Sequence, residues 1–344
     1  MSIEVRIFNP ALELQGFLDE FSSLIWIRRY QMPGEFELRT PYAAESKRLL
    51  APGNIVQKFD GLPTVDAGII ENLVMTTDEI VVKGRFLESY LDRRLIKETT
   101  YYTGNAEDSM RSIISNMVPI PLLELGADKG LTETLKFQAT YKPVLDIIQK
   151  ACRSTTLGFR IRPDFEARKM YFEVYKGEDR TSASGAKVIF SEKYDNLMDE
   201  QYTYDSINYK TKCFVSQLIN EVRVAYSVGG GSGLDLREMH LQTSVDTNGK
   251  TSAEIQDAME TQGQRALDGK IISESFTFST DAESPFIYRT EYDVGDQVYI
   301  NHIAWDINLD LRITEIEEDY EGGGREIVLT CGSPLPEIMN FEEG

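Results

Sequence analysis

Short stretches of alternating apolar and polar residues, separated by proline and glycine, fill both ends of this 344-residue chain. Alternation with a period of two is typical of β-strands, and strands spaced this closely are typical of sandwiches and barrels. In the first part of the chain, one short helix is predicted at 43–50 and strands at residues 3–8, 12–18, 24–30, 36–40, 55–59, 65–75 and 80–86. The sequence therefore predicts a β domain at residues 1–95.

The periodicity changes in the middle of the chain, where apolar residues recur at helical spacing. Asn105 suits the N-cap of one helix, which Pro119 would end, and Pro143 suits the first turn of a second helix ending near Gly158. Their apolar faces are predicted to be Met110, Ile113, Ile114 and Met117, and Val144, Leu145, Ile148 and Cys152. Residues 159–162 and 170–175 alternate between apolar and polar side chains and predict the two strands of a hairpin. Together with the two helices, they predict an α+β domain at residues 96–187.

The β pattern resumes in the last part of the chain. Strands are predicted at residues 188–190, 207–215, 221–226, 238–243, 275–279, 288–292, 297–302, 310–319 and 326–331. Thr251 and Glu254 have the spacing of a capping box and predict one embedded helix, while the glycine-rich residues 229–233 predict a linker. Residues 188–344 are therefore predicted to form a second β domain. The predicted fold class is mainly β, with two barrel-like or sandwich-like domains flanking an α+β domain.

Charge and hydropathy narrow the choice of partners. The chain has 56 acidic and 36 basic residues, a formal net charge of −20, so it repels the phosphate backbone of nucleic acids. No segment approaches the ~20 apolar residues of a membrane helix, and the N-terminus lacks the basic start and apolar run of a signal peptide. We expect synthesis in the cytoplasm, no membrane insertion and no specific DNA binding.

Residues capable of nucleophilic or metal chemistry are few and scattered. Cys152, Cys213 and Cys331 lie far apart without a CxxC pair, which indicates buried thiols rather than a zinc site or disulfide framework. His240 and His302 each stand alone in a strand-like segment and are predicted to be structural or surface residues. The sequence therefore predicts no catalytic residue, no metal site and no cofactor.

Clusters of carboxylates at residues 306–310 and 315–319 leave a glycosidase open as an alternative, because such enzymes use paired carboxylates. The clusters alternate with apolar residues or lie at a turn, which favours a solvated strand face. They also lack the glycine and the distal glutamate of a calcium loop. The glycine-rich linker is not followed by the Gly-Lys-Ser/Thr sequence of a phosphate-binding loop.

An aromatic and basic segment at residues 24–30 is the most distinctive local feature. Strand geometry would place Leu24, Trp26, Arg28 and Tyr30 on one face and Ile25, Ile27 and Arg29 on the other. Two arginines in an acidic protein make a weak nucleic-acid patch, whereas Trp and Arg are frequent anchors of protein contacts. The candidate interface or core motif is Trp26, Arg28, Arg29, Tyr30 and Phe36.

Seven distinctive runs are spread over nearly the whole chain. The first is SLIWIRRYQMPGEFEL at residues 23–38, an aromatic and basic strand followed by a turn, a glycine and a Phe-Glu-Leu strand. The others, in order, are VKGRFLESYLDRR at 82–94, VYKGEDR at 174–180, VIFSEKYDNL at 188–197, YTYDSINYK at 202–210, GLDLRE at 233–238 and DVGDQV at 293–298. In this order, the runs resemble the tail-hub, or baseplate-hub, family of siphophages and related prophages.

The resemblance implies a structural protein of the virion tail tip or baseplate, without a catalytic signature. It implies a homotrimeric ring in which each chain contributes two tube-like β domains, so that the ring adapts a sixfold tail tube to the tip. Its expected partners are copies of itself, tail-tube and distal tail proteins, the tape-measure protein and tip or fibre proteins. An acidic channel wall would let DNA pass without binding it.

A tail-associated cell-wall hydrolase and a carbohydrate-binding or receptor-binding module remain alternatives, and the tail type stays open.

Overall fold

The computed structural model describes residues 3–18, 20–98, 100–181, 187–280, 284–322 and 324–333. Its strands, numbered in chain order, are β1 (Glu4–Phe8), β2 (Leu14–Leu18), β3 (Ser23–Arg29), β4 (Glu35–Pro41), β5 (Ile55–Phe59), β6 (Gly68–Ile69), β7 (Asn72–Met75), β8 (Glu79–Arg85), β9 (Leu95–Ile96), β10 (Thr100–Asn105), β11 (Leu123–Leu125), β12 (Thr134–Ala139) and β13 (Lys142–Pro143). They continue with β14 (Gly158–Asp164), β15 (Lys169–Tyr175), β16 (Asp179–Arg180), β17 (Ile189–Ser191), β18 (Met198–Asp205), β19 (Lys212–Ile219), β20 (Val222–Gly229), β21 (Glu238–Gln242), β22 (Ser273–Thr280), β23 (Gln297–His302), β24 (Ile307–Glu321) and β25 (Glu326–Gly332).

The helices are few and short. The α-helices are α1 (Ala44–Leu49), α2 (Ala106–Asn116), α3 (Val144–Thr155) and α4 (Ser252–Asp268). Single 3₁₀ segments cover Leu87–Arg93, Glu192–Tyr194 and Gly233–Asp235. Within the described ranges, no helix has the length and apolar character needed to cross a membrane. The predicted fold class, mainly β with few helices, is confirmed.

Two compact units make up the chain. The first is Met1–Gln201 with Thr277–Gly332, and the second is built on Tyr202–Phe276. Strands β18 and β22 each begin in one unit and end in the other. The predicted division at residues 95 and 187 into three domains stays a prediction.

The large sheet of the first unit combines strands from both ends of the chain. In order, β25, β24, β3, β4, β8 and β7 are neighbours and antiparallel. The long strand β24 pairs with β3 through Glu315–Glu321 and with β23 through Ile307–Arg312. Strands that the sequence assigns to a first and a last domain therefore share one set of backbone hydrogen bonds.

One face of this sheet is covered by the smaller sheet β2-β1-β5-β6. Side chains of β3 are alternately buried and half-buried, as the period-two pattern predicts. The buried set packs with Val5, Ile7 and Val56 of the smaller sheet and with Leu49 and Leu50 at the end of α1. The result is a two-layer β structure with a single apolar core.

The middle of the chain packs α2 and α3 against the hairpin of β14 and β15. Asn105 accepts a hydrogen bond from the backbone N–H of Asp108, which confirms the predicted N-cap of α2. The predicted apolar faces of both helices are buried. The same cluster includes Phe8, Leu12 and Ile55 from the first strands, so the helices complete a core that those strands begin.

The second unit is smaller and simpler. Its sheet has the order β20-β19-β21, and α4 packs on one face against Cys213 and Val215. Thr251 and Glu254 form both hydrogen bonds of the predicted capping box at the start of α4. The glycine-rich residues 229–233 connect β20 to β21, in agreement with the predicted linker.

Several element predictions were wrong, among them the single strand at residues 65–75, which is divided between β6 and β7. Residues 207–215 are not one strand, because residues 206–211 form a turn between β18 and β19, and β18 itself was missed. Residues 288–292 form a turn with an isolated bridge between Tyr288 and Tyr292, whose rings are buried without strand alternation. Helix α3 ends at Thr155, since Thr156 adopts a left-handed backbone conformation with φ of 58°.

Gly84 provides a test of the close packing between the two layers. A Cβ atom at Gly84 would lie 1.6 Å from the backbone carbonyl oxygen of Ile69, which cannot swing away as a side chain can. We expect Gly84→Ala to lower the free energy of unfolding by about 3 kcal/mol, the upper end of the usual overpacking cost. Chemical denaturation followed by tryptophan fluorescence would report this loss of stability, because both tryptophans lie in the first unit.

The matched control is Gly324→Ala, where the nearest atom is 3.5 Å away. Equal stabilities for the two variants would contradict the prediction.

Candidate functional site

Four of the five residues of the predicted aromatic and basic motif lie in the interior of the first unit. Trp26, Arg28 and Tyr30 point into the core and are buried, while Arg29 lies on the opposite, half-buried face. Phe36 is directly opposite Trp26 on β4 and is also buried. The alternation of β3 therefore separates the two neighbouring arginines into different environments.

Arg28 is the centre of a buried polar network. Its guanidinium donates to Asp66 at 2.6 Å and to the Tyr288 hydroxyl at 2.9 Å, and it also contacts Asp293. The indole N–H of Trp26 donates to the second oxygen of Asp66 at 2.9 Å. Burial opposes the charge of Arg28, but the neighbouring Asp293, Tyr288 and Asp66 hold its pKa well above the ordinary value. The group stays charged.

A second part of the network surrounds Glu318 of β24, whose side chain is fully buried. It accepts from Lys58 of β5, from Arg325 at 2.7 Å and from the Tyr320 hydroxyl at 2.7 Å. Burial alone would raise the pKa of Glu318, yet Lys58 and Arg325 hold it down to about 2. The Tyr288 hydroxyl lies 3.5 Å from Glu318 and so connects this part to the Arg28 part.

The network joins segments that are far apart in the sequence. Lys58 and Glu318 are 260 residues apart, and Arg289 forms a further ion pair with Asp60 at 2.8 Å. Removing one member of such a buried group leaves its partner as an unpaired charge, which is strongly destabilising. The network therefore fixes how the last part of the chain sits on the first strands within the first unit.

Tyr30 makes a different connection, to the middle of the chain. Its ring packs against the backbone at Gly158 and Gly295, where any Cβ would collide with it. Its hydroxyl donates to the Thr156 carbonyl at 3.0 Å and accepts from the Gly177 N–H at 3.3 Å. Tyr30 therefore anchors the hairpin of β14 and β15 to the large sheet.

A small cavity of ≈ 20 Å³ lies beside this network, enough for one water molecule. Arg28, Asp66, Glu88 and Arg160 are among the residues that line it. Glu88 is buried; one of its carboxyl oxygens accepts from the Ile161 N–H at 2.9 Å, and the other has no hydrogen-bond partner in the described part of the chain. Burial, with a smaller contribution from Asp66, raises the pKa of Glu88 to about 7.

The uncovered face of the large sheet is rich in carboxylates. Strand register places Asp319, Ile25, Glu37 and Lys83 in one row and Glu317, Ile27, Glu35 and Arg85 in the next. The carboxylates on this face are Glu35, Glu37, Glu79, Glu315, Glu317, Asp319, Glu321 and Glu326, and the cations are Arg29, Arg39, Lys83 and Arg85. Burial and neighbouring carboxylates raise the pKa values of Glu317 and Asp319. The face is therefore polar and net acidic.

The two histidines and three cysteines lie in separate local environments. His302 is buried, lies 3.4 Å from Glu192 and stacks on Trp305, whereas His240 is exposed and pairs with the Ser216 hydroxyl at 2.8 Å. The three cysteines are buried and unpaired, as predicted. Among the residues that the structure describes, no His, Cys, Asp and Glu residues group together as metal ligands.

Sequence reasoning missed the partners in the buried network. Glu318 was assigned to a solvated strand face, but it is fully buried. Glu318 lies two residues from Ile316 and two residues from Tyr320, which are both buried, so strand alternation places it on the inward face of β24. The run of acidic residues around Glu318 obscured this signal. Lys58 and Glu88 carried no comparable local signal, because their burial comes from packing against distant segments.

The family model described as Siphovirus ReqiPepy6 Gp37-like protein matches residues 4–333. The chain belongs to this family. The match confirms the resemblance to siphophage and prophage tail proteins that the sequence motifs indicated. None of the curated proteins compared with the chain matches it significantly.

Solved structures with a similar fold include tail proteins. A tail protein from Neisseria meningitidis has 12% identity and a TM-score of 0.60, with 97% of each chain covered. The 43 kDa tail protein of prophage MuSo2 from Shewanella oneidensis has 13% identity and a TM-score of 0.60, over 95% of this chain and 98% of that one. Prophage tail protein gp18 from Listeria monocytogenes has 13% identity and a TM-score of 0.53, over 95% and 94%. The Gp37-like chain therefore has the fold of prophage tail proteins.

Replacing Arg28 with methionine tests the buried network. Arg28→Met keeps most of the side-chain volume but leaves Asp66 without its cation, so we expect a loss of about 3 kcal/mol in the free energy of unfolding. Arg39→Met is the matched control, because Arg39 is exposed and exposed ion pairs contribute about 1 kcal/mol or less. Denaturation curves of the two variants would be compared with that of the unmodified chain. A loss no larger for Arg28 than for Arg39 would show that the network adds no stability.

Glu88 predicts a pH dependence of stability. Its pKa is about 7 in the folded chain and 4.5 in the unfolded one, so the folded state holds the proton more tightly. Stability therefore falls as the pH rises from about 4.5 to about 7, by roughly 3 kcal/mol in total for a shift of this size. Glu88→Gln removes this loss, so its stability relative to the unmodified chain should increase between pH 5 and pH 8. For the exposed control Glu98→Gln, the difference in stability from the unmodified chain should stay constant with pH. A constant difference for Glu88→Gln would contradict the raised pKa assigned to Glu88.

Proposed function

We propose that the chain is a structural hub protein of a phage or prophage tail tip, which assembles as a homotrimeric ring without enzymatic activity. The ring would join a sixfold tail tube to the tip and surround the channel through which DNA and the tape-measure protein pass. Its partners would be the tail-tube, tape-measure and tip or fibre proteins, in a virion assembled in the bacterial cytoplasm. Family membership and the tail-protein fold support this proposal.

The observation that carries the proposal is the large sheet built from both ends of the chain. Its inner face is packed against the smaller sheet, and its other face is polar and net acidic. A sheet with one apolar and one charged face suits a wall that separates packed protein from a water-filled channel. Carboxylates on such a wall repel the phosphates of DNA, so DNA would slide past without binding.

Symmetry supplies the second argument. A trimer presents six comparable strand regions to a sixfold tube if each chain contributes two, which is the architecture that the sequence resemblance implies. The chain has strand-rich segments before and after its helical middle. Whether these segments act as two equivalent tube-like domains is part of the proposal.

Electron microscopy of the full chain at high concentration tests the proposal. We expect ring-shaped particles with threefold symmetry, a trimer mass by analytical ultracentrifugation, and a reconstruction in which β24 and β3 line the channel. A strict monomer at every concentration, alone and with its tail-tube partner, would contradict the ring. A positively charged channel wall would contradict the role of the acidic face.

The hydrolase alternative is tested separately on peptidoglycan. We expect no clearing by the assembled protein. Clearing that is lost in Glu315→Gln or Glu317→Gln would replace the structural assignment with an enzymatic one. Binding to isolated cell-wall glycans without clearing would instead favour a receptor-binding module.

A further inference from the structure

Four large apolar side chains are exposed on segments of the first unit that contact one another. This surface, here named the aromatic tip, consists of Tyr194, Ile287, Ile303 and Trp305, which are between 48% and 60% exposed. Ile303 and Trp305 lie in the turn between β23 and β24. Groups of exposed apolar side chains that include tryptophan and tyrosine are typical of protein interfaces.

Specific contacts hold the aromatic tip together. Trp305 stacks on the buried His302 with ring centroids 3.9 Å apart. The N–H of Ile303 donates to Glu192 at 3.0 Å, in the 3₁₀ segment that also carries Tyr194. The Tyr194 ring lies 6.5 Å from that of Phe286, the neighbour of Ile287 in the chain. The four side chains are therefore held in place by the fold.

The border of the aromatic tip is acidic. Asp195 follows Tyr194, and Asp306 follows Trp305. Within the ranges that the structure describes, neither carboxylate forms an ion pair. The nearest cations in the sequence are Lys193 for Asp195 and Arg312 for Asp306. The tip therefore presents apolar surface beside uncompensated negative charge.

A second exposed surface of the same unit has the opposite charge. It consists of Leu95, Val118 and Tyr141, which are 46%, 49% and 73% exposed, and is here named the basic patch. Arg94 donates to the Val118 carbonyl at 2.9 Å, and the Tyr141 N–H donates to the Ile96 carbonyl at 2.7 Å. These hydrogen bonds bring the three apolar side chains to one surface.

The border of the basic patch contains Arg94, Lys97 and Lys142. Arg94 donates to three backbone carbonyl groups, and Lys142 is paired with Ile96 in the strand register. For the portion of the chain that is described, none of the three cations has a carboxylate partner. Glu98 is the exposed carboxylate of this segment, so the patch keeps a net positive charge.

We propose that the aromatic tip of one copy of this chain docks on the basic patch of the next copy. The tip supplies the tryptophan and tyrosine anchors, and the patch supplies an apolar floor with cations that face Asp195 and Asp306. The two surfaces carry opposite charges around their apolar centres, which favours contact between a tip and a patch. A contact between two tips or between two patches would bring like charges together. The inference rests on the proposed ring and names its subunit contact.

The geometry of the contact fits a ring. Two different surfaces of one chain make a heterologous, head-to-tail contact, and such contacts close into rings when the rotation between neighbours permits. A two-fold dimer through one of these surfaces alone would need a self-complementary surface, which neither the tip nor the patch provides. A second copy is therefore the occupant that the charges favour.

Charge reversal on each surface tests the contact. The tip variant carries Asp195→Lys and Asp306→Lys, the patch variant carries Lys97→Glu and Lys142→Glu, and a combined variant carries all four changes. Ultracentrifugation at low salt would measure association. We expect each two-site variant to assemble at least tenfold more weakly than the unmodified chain, and the combined variant to recover the ring.

Mixing the two variants gives a second readout. In the mixture, the intact tip of the patch variant meets the intact patch of the tip variant, and the reversed tip of the tip variant meets the reversed patch of the patch variant. Both contacts join unlike variants, so a three-membered ring cannot be built from these contacts alone. We expect the mixture to associate more strongly than either variant alone, without closed trimers. The control variant, Asp78→Lys with Glu166→Lys, reverses exposed charges away from both surfaces and should assemble like the unmodified chain.

The outcomes separate this contact from the ring itself. Unchanged assembly of the tip or patch variant would overturn the contact and leave the ring intact. Failure of the combined variant to assemble, with an unchanged thermal melt, would also overturn it. An unmodified chain that stays monomeric under all conditions would overturn both the contact and the proposed ring.

Discussion

The ion pair between Lys58 and Glu318 is the interaction on which the packing of the first unit depends most. Both side chains are buried, and they come from the second layer and from a central strand of the large sheet. A buried charge is tolerated only when its partners satisfy it, so Arg325, Tyr320 and the neighbouring Arg28 group must be in place together. The last strands can therefore dock on the first strands in one arrangement.

This constraint also explains why one face of the large sheet carries polar side chains rather than the core. The buried network and the apolar core occupy the inner face, so the alternating positions of β24 and β3 place their other side chains outward. Carboxylates collect there without a counter-charge for each of them. The chain therefore carries a net acidic sheet face on the fold of a tail protein.

The prediction of individual elements succeeded where the signal was local. Strand β3 alternates as its sequence predicts, and the caps at Asn105 and Thr251 form as expected. It failed at residues 288–292, where two tyrosines suggested a strand but are buried in a turn by contacts with distant residues. The burial of Glu318 was missed for the same reason, since its cation is 260 residues away.

The sequence by itself determined the mainly β class, the helical middle, most strand and helix positions and the resemblance to tail proteins, because periodicity, caps and motifs are local properties. Only the tertiary structure decided that β24 pairs with β3, that four of the five candidate motif residues are interior, and that Glu88 lines a cavity. Those features depend on which distant strands meet. Alternation fixes which side chains share a face of a strand, but it does not specify the partner strand or the charge that lies opposite.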